Sequence, residues 1–258
     1  MISVFLSLNV EKDIDKLPQN MRKLLVFTIL ENIDKQMYYK SEINNFRYVR
    51  ILVMVYEYII NNFQNGEPIF ISEIPGGSKD YLRQEMNKLV DDGTMERLYN
   101  GVYYLPYLTI LGTKGKISMD KYIEKKYLNV DGKTTGYITG LQLANKYGFT
   151  SQNPACYEIC SNEATTKQRK LEIDGNTIVV YKPVTEVTEN NKSALQFLDL
   201  MTMIDKYSEI TGTELSTKLK KYVAAVKLDF QTVKQYLSFY PDKVYRNIYE
   251  GGLMNELV

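Results

Sequence analysis

Residues 68–106 read PIFISEIPGGSKDYLRQEMNKLVDDGTMERLYNGVYYLP, and the order of parts within them decides the fold. Ile69 to Ile71 is a short apolar run suited to a strand, and Ser72 is placed to cap a brief helix ending at Pro75-Gly76-Gly77. Ser78 then caps an amphipathic helix in which Leu82, Met86, Leu89 and Val90 recur at i, i+4, i+7 and i+8, and Gly93 terminates it. Past that helix, Thr94 to Leu98 and Val102 to Leu105 flank Tyr99-Asn100-Gly101. Asn-Gly supplies the positive φ angles that a tight hairpin requires. Strand, short helix, turn, second helix and hairpin, in that order, predict a winged helix-turn-helix.

The outward face of the second helix carries Lys79, Asp80, Arg83, Gln84, Asn87 and Lys88. Arginine grips the guanine edge with two hydrogen bonds, and Gln or Asn does the same for adenine, each good pair discriminating by roughly 1–3 kcal/mol. Arg97, Tyr99 and Asn100 stand at the end of the hairpin, where a wing meets phosphates or the minor groove. The candidate DNA-binding residues are therefore Lys79, Arg83, Gln84, Asn87, Lys88, Arg97, Tyr99 and Asn100. A solvated helix face and a purely structural hairpin have the same composition, and that is the alternative reading.

Charge qualifies the DNA reading. The 258-residue chain has a net charge of +1, so any basic footprint must be local. Arg47 to Pro106 holds six Lys/Arg and eight Asp/Glu, a balance of 6 − 8 = −2. Tyr107 to Pro183 holds eleven and seven, or 11 − 7 = +4, and so is the more basic neighbour.

The absence of histidine excludes histidine triads, imidazole acid–base catalysis and His-containing zinc sites. Cys156 and Cys160 are the only cysteines; they cannot fill a structural zinc site, and their spacing along an extended segment is too wide for a mutual disulfide. Buried, reduced thiols are expected, with neither metal nor cofactor. The longest apolar run, Ile51 to Ile60, is interrupted by Glu57 and is far shorter than the ~20 residues of a membrane span. MISVFLSLNV at the amino terminus has no basic residue ahead of its apolar patch, which argues against a secretory signal and for a cytoplasmic protein without membrane contact.

Length predicts two domains with a helical extension. Residues 1–44 form the extension, with a helix from Pro18 to about Tyr39. A second helix, Asn45 to Phe63, repeats Phe46, Val49, Leu52, Val53, Tyr56, Ile60 and Phe63 at helical spacing and opens the winged domain, residues 45–106. Residues 107–258 form a small α/β domain with an antiparallel sheet and carboxy-terminal helices, so the fold class is α+β. Leu108 to Gly115 reads as a linker, and Ser118 starts a helix through Leu128. Gly136-Tyr137-Ile138-Thr139-Gly140-Leu141 leads into a short helix capped by Thr139 and ended by Gly148, its glycines read as turn residues. Ala155 to Cys160, Lys170 to Ile173 and Thr177 to Tyr181 read as strands, the last two joined at Asp174-Gly175-Asn176. From Ser193 the period is helical in three segments with a fourth from Lys243, and these cover the sheet.

RLYNGVYYLP (97–106), GYITGLQLANKYGFTSQNP (136–154) and the strand and hairpin that follow carry a likeness: the chain resembles the AbiEi family of antitoxins from abortive-infection toxin–antitoxin pairs. The likeness spans roughly Ile69 to Tyr249, and roughly the first 45 residues have no counterpart in the family pattern. The resemblance implies an amino-terminal winged helix that binds double-stranded DNA at its own promoter, repressing its operon. It also implies a carboxy-terminal domain, beginning near Lys116, that neutralises a nucleotidyltransferase-like toxin. No catalytic residue comes with it. Two readings stand beside this one: a protein-binding antitoxin without operator binding, and a metal-dependent nuclease using Glu124, Lys126, Glu172 and Asp174.

Overall fold

The computed structural model describes residues 55–257, nearly all of them in a compact unit that spans residues 58–258. The Pro18–Tyr39 helix, the 1–44 extension and most of the Asn45–Phe63 helix lie outside the described residues. The described end of the latter is α1, residues 55–62, with Ile59 fully buried.

Strand β1 (Ile69–Phe70) runs directly into a single 3-10 turn, Ile71–Glu73. The helix expected to be capped by Ser72 is thus reduced to one turn, and Ser72 lies inside it, exposed. Glu73 takes the capping role by accepting the Phe70 N–H at 2.8 Å. Pro75 follows the buried Ile74, and Gly76 and Gly77, both at positive φ, carry the chain away before a second turn forms. Helix α2 (Lys79–Asp91) starts as expected, with the Ser78 hydroxyl oxygen accepting the Tyr81 N–H at 3.3 Å. Leu82, Met86 and Leu89 are buried beneath it, and Gly93 at φ 78 turns the chain back.

β2 (Glu96–Tyr99) and β3 (Val102–Tyr104) form the hairpin around Asn100-Gly101. β1 adds to β3, giving an antiparallel three-stranded sheet in the order β1-β3-β2, with Ile69 and Arg97 both opposite Tyr103. Leu108 to Gly115, read as a linker, belongs instead to a hairpin of β4 (Tyr107–Leu108) and β5 (Lys114–Gly115). Two threonines close it: the Thr109 N–H donates to the Thr113 carbonyl at 2.8 Å, and their hydroxyls meet at 2.7 Å.

α3 (Met119–Ile123) widens into a π-helical turn, Glu124–Leu128. A small hairpin, β6 (Asn129–Val130) and β7 (Lys133–Thr134), leads to β8 (Gly136–Ile138) and α4 (Gly140–Lys146). The main sheet then adds β9 (Cys156–Ser161), β10 (Gln168–Ile173) and β11 (Asn176–Tyr181) in the order β10-β11-β9-β8. The expected antiparallel pairing holds for β8 with β9 and for β10 with β11, whereas β11 runs parallel to β9. Composition explains this. NTIVVY in β11 is buried at Ile178, Val179 and Val180 and takes the interior slot, while QRKLEI in β10 places exposed Arg169, Lys170 and Glu172 at the edge.

The pleat divides the sheet between two cores. Ile159, Ile178 and Val180 pack with Tyr122, Ile123 and Tyr127 of the α3 segment and with Val102, Phe70 and Leu98. Their neighbours Cys160 and Tyr137 face the opposite way, into the carboxy-terminal helices. Those helices are α5 (Lys192–Tyr207), α6 (Gly212–Ala225), α7 (Phe230–Leu237), α8 (Lys243–Glu250) and α9 (Met254–Leu257). Phe197, Leu198 and Met201 of α5 are buried, and with Tyr222 and Val233 they cover that face as the periodicity anticipates. Among the described residues no helix is long and apolar enough to cross a membrane.

Candidate functional site

Helix α2 presents Lys79, Arg83, Gln84 and Asn87 on its exposed side. Two of its cations are engaged within the helix. Arg83 pairs with Asp80 at 2.8 Å, both largely in solvent, and Lys88 pairs with Glu85 at 3.0 Å. An exposed pair of the first kind contributes about 0–1 kcal/mol, so the Arg83 guanidinium exchanges partners readily. At the hairpin end Arg97 donates to the Asn100 side-chain oxygen at 3.1 Å, and Tyr99 is 37% exposed. The fold thus brings the proposed residues into two groups, one along α2 and one on the β2–β3 turn.

Glu85 is the unexpected member of the helix. It is fully buried, and among the described residues its second carboxylate oxygen and the Tyr81 hydroxyl have no hydrogen-bond partner. Burial raises the Glu85 pKa. Its position was readable, since Leu82, Glu85, Met86 and Leu89 stand at i, i+3, i+4 and i+7, but its charge argues for solvent.

A second constellation surrounds residues 136–140. Gly136 lies in a strand, not a turn: a Cβ there would stand 2.3 Å from the Tyr127 carbonyl oxygen and 2.6 Å from that of Cys160. At Gly140, φ is +65 and a Cβ would collide with the Glu158 carboxylate. The expected cap of α4 is replaced accordingly. Glu158 accepts the Leu141 N–H at 2.9 Å, while the Thr139 hydroxyl turns inward to Asp199 at 3.2 Å. Tyr137 also donates to Asp199, at 3.0 Å, and Gln196 holds the Ile138 carbonyl at 2.8 Å. Burial pushes the Asp199 carboxyl up to about 6 against the opposing pull of the Tyr137, Thr139 and Tyr240 hydroxyls. Burial likewise pushes the Cys160 thiol up to about 12, and both cysteines are free. Sequence reasoning missed Glu158 and Asp199, whose partners lie 17 and 60 residues away along the chain.

Lys125, on the π-helical turn, ties the three-stranded sheet to α3. It reaches Glu67 at 3.1 Å, Glu73 at 2.9 Å and the Pro68 carbonyl at 2.8 Å, with Phe63 beneath it. The acids weighed for nuclease chemistry are engaged separately: Glu124 by Asn129, Glu172 by Lys170 at 3.0 Å, and Asp174 by Lys116 at 3.1 Å. Among the described residues no group of three or more His, Cys, Asp or Glu is placed to hold a metal ion. No family model and no curated protein matches the chain.

Proposed function

We propose that the chain is a DNA-binding antitoxin of the AbiEi type, a repressor of its own operon that also neutralises a nucleotidyltransferase-like toxin. The observation carrying the DNA half is the placement of α2. The helix follows a tight glycine turn, shows Lys79, Arg83, Gln84 and Asn87 to solvent, and is followed directly by a hairpin whose turn presents Arg97, Tyr99 and Asn100. A helix so presented fits the major groove, with the hairpin beside it on the backbone. The toxin half rests on the likeness of residues 136–154 and the strands after them.

A second reading, a protein-binding antitoxin that leaves the operator alone, is favoured by the charge balance. Asp80 and Glu85 engage Arg83 and Lys88, and residues 47–106 carry a balance of 6 − 8 = −2. Anisotropy titrations of promoter DNA separate the two. On the first reading Arg83→Ala or Gln84→Ala weakens binding about tenfold, while Lys79→Ala lowers the salt slope by about one phosphate. Wild-type affinity in all three variants removes α2 as the reader. Rescue of growth on co-expression with the neighbouring reading frame's product tests the antitoxin role.

A further inference from the structure

The β4–β5 hairpin ends in three aliphatic side chains that, among the described residues, nothing covers. Leu108 is 72% exposed, Leu111 88%, and Ile110 entirely so. Left loose, such a tip would fold these groups back onto the protein, because apolar surface in water is unfavourable. It is held out. The threonine pair closes the hairpin, Gly112 adopts φ 75 at its turn, and the Tyr107 hydroxyl donates to the Lys116 carbonyl at 3.0 Å. The Tyr107 ring is rooted against Gly66 and Gly115, where a Cβ would stand 2.8 Å and 2.3 Å from it.

Next to that root lies a shallow, open depression of about 460 Å³ between the 64–68 loop and the α3 segment, lined mostly by apolar atoms. Pro68 and Gln64 line it together with three acids, Glu67, Asp120 and Glu124, and two lysines, Lys121 and Lys125, so that its balance is 2 − 3 = −1; Asp120 and Glu124 are exposed. The hairpin carries the opposite charge. Lys114 and Lys116 follow the tip on its second strand and just beyond, 68% and 75% exposed, each touched by one acid of its own chain, Glu96 and Asp174.

We propose that two copies of this chain associate about a two-fold axis, each seating Ile110 and Leu111 in the other's depression. Lys114 and Lys116 would then meet Asp120 and Glu124. The root of the hairpin and the depression are neighbours, because Tyr107 packs on Gly66, whose N–H donates to the Leu105 carbonyl at 2.9 Å. Two complementary features side by side on one surface satisfy the self-matching that a closed two-fold contact requires. The proposal stands apart from DNA binding and needs none.

Sedimentation velocity of the full chain from about 1 to 100 μM tests it in the concentration range of modest interfaces. The wild type is expected to pass from monomer to dimer, and Ile110→Asp with Leu111→Asp to remain monomeric with unchanged circular dichroism. Asp120→Lys with Glu124→Lys should weaken association about tenfold, and adding Lys114→Glu and Lys116→Glu should recover part of it. A monomer at every concentration overturns the proposal, as does a dimer indifferent to the tip. A monomer whose tip binds phosphatidylcholine–phosphatidylserine vesicles also overturns it and assigns the tip to a membrane surface.

Discussion

Replacing Asp199 by Asn should change how stability depends on pH more than it changes stability itself. The carboxyl is raised from 3.8 to about 6 by burial, and among the described residues no cation pairs with it. Between those values the folded state binds the proton that the unfolded state has released, so stability falls as pH rises through the window. The contribution is fully present below about pH 4 and lost above about pH 6. Two units correspond to about 3 kcal/mol at 1.36 kcal/mol per unit. For a unit of this size that is about 6–12 °C in Tm. The amide introduced by Asp199→Asn keeps an oxygen to accept the Tyr137 and Thr139 hydroxyls but cannot ionise. Urea denaturation of both proteins at pH 4, 5, 6 and 7 should give a stability difference, variant minus wild type, that climbs by about 3 kcal/mol across the series. Taking the difference cancels groups common to both, among them Glu209. Hydrogen bonds from Ser151 lower that carboxyl to about 2, and its contribution is lost instead as pH falls towards that value. Parallel curves, or a difference that shrinks with pH, would refute the assignment of a burdened Asp199.

Gly136→Ala should destabilise the protein by about 3 kcal/mol in the same assay, because the added methyl meets two backbone oxygens that cannot move without parting β8 from β9. Lys125→Met should cost about 2 kcal/mol by leaving Glu67 and Glu73 without their shared cation, whereas Lys126→Met, which removes only an ammonium 5.6 Å from the Phe70 ring, should cost less than about 1 kcal/mol. Equal costs for the two lysines would show that the Lys125 ties contribute nothing specific.

What was legible in the sequence is what neighbours along the chain decide. Ser78 caps α2 through a bond three residues on, and Asn100-Gly101 turns its own hairpin, so both could be read without knowing the fold. The 107–115 hairpin has no such signal. Its turn is set by Thr109, Thr113 and Gly112 together, and its stability comes from the Tyr107 ring lodging against Gly66, 41 residues earlier. The parallel pairing of β9 with β11 was hidden for another reason. Alternating apolar residues identify strands but not the slot each takes, and the choice depended on comparing the burial that β10 and β11 each require.

The stretch 136–154 illustrates the same limit from the other side, since its pattern is distinctive while its causes lie elsewhere. Gly140 is small because Glu158 occupies the space a side chain would need, and Glu158 is there to accept the Leu141 N–H at the start of α4. Thr139, released from capping, turns to Asp199 on α5. Four residues at the start of the stretch therefore answer partners outside it: Gly136 the carbonyls of Tyr127 and Cys160, Tyr137 and Thr139 the carboxylate of Asp199, Gly140 that of Glu158. Gly136 and Gly140 are thus spaced by the packing of β8 and α4 on β9. This explains why their spacing matches no phosphate-binding pattern. Gly140 is thereby constrained twice: a side chain there meets the Glu158 carboxylate, and even with a shorter residue at 158, which costs the cap of α4, φ +65 strains any larger residue.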